Sequence, residues 1–534
     1  VVERKLIKDG LMRHRDDLGR ESLLEHIWEW KEKHGGIIIE QLKKLGASCD
    51  WSRIRFTMDD DYTKCVQRVF VDLYHKGLIY RGKRMVNWCP KSLTALSDEE
   101  VIMKEQNSNL YYFKVQVVEE PETWLEIATT RPETIPGDTA FAVNPNDPRY
   151  GHLVGKHAIR PLPIENQAHL PIVADEHIDI EFGTGVLKVT PAHDKVDFDI
   201  GQRNGVEVIE VINADGKMNE QAGKYEGMQI AEARKHIVDD LKAADVILDE
   251  KNVEQNVSVG ERSEMPVEFV MEPQWFINLL EHKDKFLKRA EELNWFPDYM
   301  KVRLEHWIEG LKYDWNISRQ LWWGHRIPAY YYGNGKEDFV VAETREEALK
   351  LAIQKTGKEN LSAEDLRQDD DALDTWFSSW LWPITVFDGI IHPDNSEMKY
   401  YYPTQDLVTG PDIIFFWVAR MIIAGYNFQG KFPFSNVYLT GLVRDKDGKK
   451  MSKQLGNSPD AIKLIENYGA DSVRVGLMLS SVAGNDLLFD EDLCKQGKNF
   501  ANKIWNSYRL ISGWKIKKTI SQPKASKEAL EWYS

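Results

Sequence analysis

The stretch that decides the fold is GKKMSKQLGNSPD, residues 448–460. It follows an apolar, strand-like run at 437–439 and precedes a helix whose first turn is predicted at 458–460. Lys450 and Lys453 stand three positions apart on this glycine-flanked loop, and two ammonium groups can neutralise charge that moves onto a leaving phosphate. The chain has no GxxxxGK[ST] loop elsewhere. The pattern therefore predicts that any polyphosphate chemistry depends on these two lysines.

The whole string resembles the KMSKS loop of class I aminoacyl-tRNA synthetases. In that family the second lysine, here Lys453, contacts the ATP phosphates and Lys450 assists it. The resemblance implies that both lysines are catalytic, that Ser452 shares the ATP-binding loop, and that Mg²⁺ accompanies the ATP. Gln454 replaces the usual serine, which we expect to tune the loop and not to abolish its function.

A second motif is GPDIIFFWVARM, residues 410–421, with DTWFSS at 374–379 upstream of it. Ile413 and Trp417 are four residues apart, so on a helix they project from one face and can form one wall of an apolar pocket. The same spacing is also typical of ordinary core packing. The helix is predicted to start at Pro411 and to stop at Gly425.

Both strings resemble the valine-specific members of the family, the valyl-tRNA synthetases. The resemblance implies that Trp376, Ile413 and Trp417 line a valine pocket and that Gly410 and Asp412 lie at the nucleotide. Such an apolar pocket rejects an isostere poorly, and valyl-tRNA synthetases discriminate against threonine by only about a hundredfold at this step. A second, hydrolytic site is therefore expected.

The third motif lies in a stretch where the hydrophobic period changes to two. TTRPET (129–134) follows a predicted strand, and a polar string with two aspartates, EFGTGVLKVTPAHDKVD, covers 181–197. A carboxylate can hold the ammonium of an aminoacyl ester, while hydroxyl, Arg and Lys groups can anchor the ribose and terminal phosphate and order a water.

The grouping resembles the editing domain of valyl-tRNA synthetases. The resemblance implies a pocket for the 3′ end of threonine-charged tRNA(Val) built from Thr129, Thr130, Arg131, Phe182, Lys188, Thr190, His193, Asp194 and Asp197. Asp197 would grip the threonyl amino group and Asp194 would support it. The base stays open, since His193 is near but hydroxyl groups of the tRNA could equally orient the water.

The predicted organisation is an α/β fold in four parts. Residues 1–108 are predicted to be mainly helical and to form the first part of a catalytic domain, with Val66, Phe70 and Leu73 on one helix face. Residues 109–255 are predicted to form a β-rich insert. The catalytic domain then resumes at 256–495, and a helical domain starts at 496–534. By the resemblance, these are a Rossmann-type class I catalytic domain, its editing insert and the start of an anticodon-binding bundle.

Composition bounds the remaining possibilities. The 69 basic and 85 acidic residues leave a net charge of −16, although 496–534 alone carry +6. Four cysteines without a CxxC pair argue against a disulfide scaffold, and the motif reading predicts no structural zinc and no metal site. The longest apolar run, 413–425, is too short for a membrane span. The cysteine usage favours a reducing cytoplasm, and the family resemblance implies a monomer whose partners are tRNA(Val), valine and ATP.

Three alternatives remain. An isoleucyl-type synthetase is the nearest rival, but it typically lacks Arg-Pro-Glu after the paired threonines; leucyl enzymes lack the Pro-Ala-His-Asp context at 191–194. A tRNA-binding paralogue without ligase activity is the third. The HIGH motif of the family occurs nowhere in the chain. From the sequence we expect an internal segment that retains the editing insert but not a complete aminoacylation site.

Overall fold

Helices and strands alternate through the computed structural model, which describes residues 1–333, 335, 337–449, 451, 456–515 and 531–532. The helices are α1 Val2–Lys8, α2 Gly19–His34, α3 Ile37–Leu45, α4 Asp60–His75, α5 Lys195–Asn204, α6 Ile230–Ala243, α7 Lys283–Ala290, α8 Lys301–Gly310, α9 Arg345–Thr356, α10 Thr375–Ser379, α11 Trp382–Thr385, α12 Ser396–Tyr401, α13 Ala419–Gln429, α14 Ala461–Tyr468, α15 Ala470–Ser480 and α16 Glu491–Ser512.

The strands fall into several small sheets. They are β1 Ile79–Cys89, β2 Thr94–Leu96, β3 Val101–Gln116, β4 Trp124–Thr129, β5 Ala140–Val143, β6 His157–Ile159, β7 His169–Ala174, β8 Val186–Val189, β9 Ile247–Gly260, β10 Glu268–Ile277, β11 Asn294–Phe296, β12 Trp315–Asn316, β13 Ser318–Arg319, β14 Ala329–Tyr331, β15 Phe339–Val341, β16 Arg367–Gln368, β17 Ala372–Leu373, β18 Thr404–Thr409, β19 Phe434–Leu439, β20 Val443–Arg444 and β21 Leu487–Leu488.

A parallel sheet with strand order β11-β19-β18 lies in the second half of the chain. A continuous helical segment joins β18 to β19: a 3₁₀ turn at Pro411–Ile413, a π-helical turn at Ile414–Val418, and then α13. Apolar side chains of this segment pack on the buried strand residues Val437 and Leu439. Parallel strands joined by a crossover helix are the unit of a Rossmann-type fold.

Two antiparallel ladders carry the chain out into the β-rich insert and back. β1 pairs with β10, from Ile79 opposite Ile277, and β3 pairs with β9 from Val101 opposite Gly260. The far end of β3 also pairs with β4. The insert therefore begins and ends on neighbouring strands, which keeps its attachment to the rest of the chain short.

The insert has its own buried core, with members from Phe113 on β3 to Leu241 on α6. Its mixed sheet has the order β6-β7-β5-β8, in which β5 runs parallel to β7 and antiparallel to β8. The period-two stretches predicted at 111–117, 124–130 and 185–190 are confirmed as strands β3, β4 and β8. The helix face of Val66, Phe70 and Leu73 is confirmed on α4, where all three are buried.

Two predictions of local structure were wrong. The region before residue 109 is not mainly helical throughout, because 79–89 form β1, a strand that depends on pairing with β10 far along the chain. Gly425 does not end its helix: α13 continues to Gln429 and ends at Gly430, whose φ of +67° is left-handed. Gly425 instead lies where the ideal Cβ of any other residue would be 2.7 Å from Tyr402 Oη and 2.9 Å from the Lys431 carbonyl oxygen.

Candidate functional site

Eight of the nine residues predicted for the insert meet around one cavity of about 300 Å³, which we call the insert pocket. Thr129 ends β4, Lys188 lies on β8, and Asp197 lies in the first turn of α5. The eight are Thr129, Thr130, Arg131, Lys188, Thr190, His193, Asp194 and Asp197. The ninth, Phe182, lies on the loop before β8 with 80% of its surface exposed and does not line the cavity.

Asp194 and Asp197 have different environments although they are three residues apart. Asp194 caps α5, accepting hydrogen bonds from the backbone N–H groups of Val196 (2.8 Å) and Asp197 (3.1 Å). Asp197 is buried and accepts one from the backbone N–H of Thr190 at 2.8 Å. Burial, reinforced by the nearby Asp194 carboxylate, raises the pKa of Asp197 to about 7.

Lys188 is the centre of a buried hydrogen-bond cluster beside Asp197. Its ammonium donates to Thr134 Oγ1 (2.7 Å), Thr190 Oγ1 (2.7 Å) and Asp138 Oδ1 (3.0 Å). An ammonium has three protons, so these three acceptors can engage all of them. Neither Thr134 nor Asp138 was predicted from the sequence, and no motif distinguishes Asp138 from other loop aspartates.

His193 is buried and neutral. Its Nε2 accepts a hydrogen bond of 2.9 Å from the backbone N–H of Val211, which leaves the proton of the neutral ring on Nδ1. Burial, together with the positive charges of Arg131 and Lys188, lowers the pKa of His193 to about 3. Because its basic nitrogen is already occupied and its proton affinity is low, His193 is poorly suited to act as a general base.

Arg131 is held by two carboxylates. Its guanidinium donates to Glu133 Oε1 at 3.1 Å and to Glu268 Oε2 at 2.5 Å, and Glu133 also binds Arg234. Burial opposes the charge of Arg131, but the two carboxylates outweigh it and raise the pKa of the guanidinium. Glu268 belongs to β10, so this contact joins the insert pocket to a strand outside the insert.

A second cavity, of about 400 Å³, contains part of the predicted apolar pocket, and we call it the Trp376 cavity. Trp376, Ile413 and Asp412 line it, as does Phe416, whose ring stacks on Trp376 at 5.3 Å. Trp417 does not line it; its indole N–H donates to the Ser379 carbonyl at 3.0 Å. The sequence had no signal favouring Phe416, because the π-helical turn changes which side chains share a face.

Gly410 lies directly before the 3₁₀ turn that carries Asp412, and an ideal Cβ there would be 2.5 Å from Asp412 Oδ1. Lys450, Ser452 and Lys453 lie outside the described residues. The two flanks of their loop are joined by a 2.7 Å hydrogen bond from Asn457 Nδ2 to Asp445 Oδ2.

Two features are absent from the described residues. Among them, no group of three or more His, Cys, Asp or Glu residues is arranged to hold a metal ion. Within the same part of the chain, no helix combines the length and apolarity that a membrane crossing requires.

Comparisons with known proteins agree with one another. A family model described as tRNA synthetases class I (I, L, M and V) matches residues 1–490. The valine–tRNA ligases of Parabacteroides distasonis and Porphyromonas gingivalis are each 56% identical to this chain over 97% of it and 59% of their own length, and that of Christiangramia forsetii is 54% identical over 100% of it and 60% of its own. The chain thus spans about 60% of the length of these curated relatives.

A solved ternary complex of the Agrobacterium radiobacter K84 agnB2 LeuRS with tRNA and LeuAMS aligns with 92% of this chain and 66% of that chain, with a TM-score of 0.47 and 17% identity. The family model covers all but the last 44 of the 534 residues. The chain belongs to the class I tRNA synthetases of the isoleucine, leucine, methionine and valine group.

Proposed function

We propose that this chain serves a valine–tRNA ligase that activates valine with ATP and Mg²⁺, transfers it to tRNA(Val), and uses the insert pocket to hydrolyse threonine-charged tRNA(Val). The observation that carries the proposal is the insert pocket, where residues from three separate segments converge on a buried carboxylate. The names of the relatives, all valine–tRNA ligases, favour valine over isoleucine. The domain limits at 109–255 and 496–534 are part of this proposal.

Asp197 is the group proposed to bind the substrate ammonium. Its carboxylate is oriented by the Thr190 N–H, and a bound ammonium would favour the ionised form that burial disfavours. Thr129 and Thr130 line the same cavity and bring hydroxyl groups to it. A site that hydrogen-bonds the threonine hydroxyl leaves polar groups unpaired when valine enters, so polar discrimination can succeed where an apolar pocket fails.

Hydrolysis requires a water whose oxygen bonds to the ester carbonyl carbon while the bond from that carbon to the ribose oxygen breaks. The departing ribose oxygen takes up a proton, and threonine and tRNA are released. Because His193 Nε2 already accepts a hydrogen bond from the Val211 N–H, we assign activation of the water to a hydroxyl of the terminal ribose. Asp197 would hold the threonyl ammonium in place, and the Lys188 ammonium would contribute its positive charge beside the pocket.

The Trp376 cavity supports the valine half of the proposal. Trp376 and Ile413 present an indole and a branched aliphatic group to it, which suits a small apolar side chain. Phe416, stacked on Trp376, takes the place that the sequence assigned to Trp417. ATP binding is assigned to Gly410, Asp412 and the loop of Lys450, Ser452 and Lys453, with Mg²⁺ carried by the nucleotide.

The test is deacylation of threonyl-tRNA(Val) by the purified chain. We expect hydrolysis by the wild type and a loss of about a hundredfold or more in Asp197→Ala, because the ammonium loses its only proposed counter-charge. Asp199→Ala is the matched control, since Asp199 is exposed on the same helix and does not line the insert pocket.

Each outcome decides one part of the proposal. If the wild type leaves threonyl-tRNA(Val) intact, the hydrolytic function is wrong and a tRNA-binding paralogue becomes the better account. If Asp197→Ala hydrolyses as fast as Asp199→Ala, the role given to Asp197 is wrong.

A further inference from the structure

Lys195 is the first residue of α5, the helix whose N-terminal turn carries Asp194 and Asp197. It does not line the insert pocket. It lines instead two neighbouring cavities of about 550 and 230 Å³, which Met85 of β1 and Phe276 of β10 line as well. The Lys195 side chain therefore faces strands outside the insert, and a substrate in the insert pocket would not touch it.

The Lys195 ammonium contacts three groups that lie outside the insert. Its Nζ is 3.2 Å from Asp98 Oδ1, 4.3 Å from the centre of the Tyr313 ring and 5.5 Å from the centre of the Phe269 ring. The side chain is only 23% exposed, and an ammonium is attracted to the face of an aromatic ring most strongly where water is partly excluded. One lysine thus connects α5 with the turn before β3, with β10 and with the segment before β12.

Asp98 offers this lysine a fixed partner. It begins the 3₁₀ turn Asp98–Glu100, and its Oδ1 also accepts a hydrogen bond of 2.6 Å from Asn87 Nδ2 on β1. The other end of the turn is held by Glu100, whose Oε2 accepts a hydrogen bond of 3.1 Å from the buried Arg319 guanidinium. The turn is anchored in the part of the chain outside the insert, so its contact with the lysine can fix where α5 begins.

Carboxylates of α5 and of this turn surround the same ring. Burial raises the pKa of the Tyr313 hydroxyl, and three nearby carboxylates raise it further. Those carboxylates are Asp199, Asp98 and Asp194. Because like charges repel, the turn and α5 would push each other apart without a cation between them. The Lys195 ammonium, lying against Asp98 and the ring, offsets that repulsion.

We propose that Lys195 is a positioning residue of the insert pocket: by binding Asp98 and the Tyr313 ring, it fixes the N-terminal turn of α5 and thereby the Asp197 carboxylate. The proposal rests on the hydrolytic function proposed above. A displacement of about 1 Å at a catalytic group can cost up to about a hundredfold in rate. The ion pair itself is partly exposed, so its loss should slow hydrolysis while changing the stability of the fold little.

The experiment is single-turnover hydrolysis of threonyl-tRNA(Val), in which the rate constant and the half-saturating protein concentration are measured separately. For Lys195→Met we expect the rate constant to fall by about threefold to thirtyfold, because the two acidic segments then repel each other. The half-saturating concentration should change by less than about twofold, because Lys195 does not touch the substrate. Lys195→Arg keeps the charge and the ring contact, so it should keep most of the rate.

The double variant of Lys195→Met with Asp98→Asn gives the sharpest result. Asp98→Asn removes the charge that repels α5 once the lysine is gone. The double variant should therefore hydrolyse faster than Lys195→Met alone, by about twofold or more. Loss of packing alone predicts the reverse order, with the double variant slower than either single variant.

Lys83→Met is the matched control. Lys83 also binds a carboxylate across the boundary of the insert, Glu210 at 3.5 Å, but Glu210 does not belong to α5. This variant should hydrolyse at the wild-type rate. Equal losses in Lys195→Met and Lys83→Met would overturn the proposal, as would a double variant no faster than Lys195→Met. It would also be overturned if Lys195→Arg were as slow as Lys195→Met, or if the loss lay only in the half-saturating concentration.

Two further results keep the test decisive. If Lys195→Met does not fold, Lys195→Gln, which keeps a polar end without the charge, takes its place with the same expectations. If the wild type does not hydrolyse the ester, the proposed function fails and this inference with it. If the wild type hydrolyses and Asp197→Ala does not, but the Lys195 variants match the wild type, the inference alone fails.

Discussion

At the scale of single residues, burial separates side chains that look alike in the sequence. Asp194 and Asp197 both follow the Pro-Ala-His string. The Asp194 carboxylate caps α5, whereas Asp197 lines the cavity and has a raised pKa. The sequence string at 181–197 was enough to predict that both aspartates lie at the same candidate site. Which one carries the unusual proton affinity could not, because it depends on solvent exclusion by other segments.

Arg131 and His193 were predicted at the site and lie there, but their partners define what they can do. Arg131 is neutralised by Glu133 and Glu268, and His193 is engaged by the Val211 N–H. Glu268 and Val211 are distant in sequence from the motif. The Glu268 contact follows from the packing of the insert against β10, and the Val211 contact follows from the folding of the insert itself, so a local string contains no information about either.

The raised pKa of Asp197 predicts a pH-dependent stability. The folded protein keeps this proton up to about pH 7, whereas the unfolded chain loses it near 3.8, so the contribution of Asp197 to the free energy of unfolding falls as pH rises between those values and is level above. Asp197→Asn removes the effect. We expect the variant to match the wild type near pH 4 and to be more stable at pH 8, by about 1–3 kcal/mol.

Thermal or urea unfolding of both proteins at pH 4 and pH 8 checks this. The lowered pKa of His193 has the opposite slope, since its contribution to stability is lost as pH falls from 6.5 towards about 3. That slope is common to the wild type and the variant, so the difference between them isolates Asp197. Equal stability of the two proteins at pH 8 would contradict the prediction.

At the scale of helices and strands, the local hydrophobic period was enough to predict an element where one of its faces is buried. The stretches predicted from alternation are strands β3, β4 and β8. Residues 66, 70 and 73 lie on the buried face of α4. β1 was missed because its central residues 81–84 include three charged side chains and a glycine. Pairing with β10, about 190 residues later, makes it a strand, and no local pattern reports such a partner.

Gly425 gives a test at this scale, because the sequence and the structure assign it different roles. A helix stop would tolerate alanine at modest cost, whereas a close contact would not. In α13 an added Cβ would meet Tyr402 Oη, the Lys431 carbonyl and Pro433 Cδ at 2.7–3.0 Å. We therefore expect Gly425→Ala to lower the free energy of unfolding by about 1–3 kcal/mol, despite the better helix propensity of alanine.

Gly310→Ala is the control for that measurement. Gly310 ends α8, has no atom within 4 Å of its ideal Cβ, and does not have a positive φ. There the alanine should be neutral or stabilising by up to about 1 kcal/mol. Equal urea midpoints for the two variants would contradict the close-contact role of Gly425.

At the scale of the whole molecule, the insert is joined to the rest of the chain by the β1–β10 and β3–β9 ladders. Side-chain contacts between the insert and β1 or β10 add to this connection. The acidic total of −16 gives no reason to expect a nucleic-acid partner, whereas the proposed function requires tRNA. The 496–534 segment, with its charge of +6, is the part of the chain whose charge suits such a partner. Among the described residues, ion pairs of two different kinds connect the insert with β1 and β10. In the first, Arg131 is partly buried and Glu268 is buried; in the second, Lys83 and Glu210 are both exposed and lie 3.5 Å apart.

We expect removal of the carboxylate to have a large effect in one ion pair and a small effect in the other. Glu268→Gln leaves the Arg131 guanidinium to share Glu133 with Arg234, so we expect a stability loss of about 1–3 kcal/mol and slower hydrolysis of threonyl-tRNA(Val). Glu210→Gln should change stability by less than about 1 kcal/mol, because both partners of that pair are more than one-third exposed. Melting temperatures and single-turnover hydrolysis of the two variants check this.

If Glu268→Gln behaves like Glu210→Gln in both measurements, the insert pocket is independent of β10. If it loses hydrolysis, the pocket depends on a carboxylate outside the insert, and the two parts of the chain work as one unit.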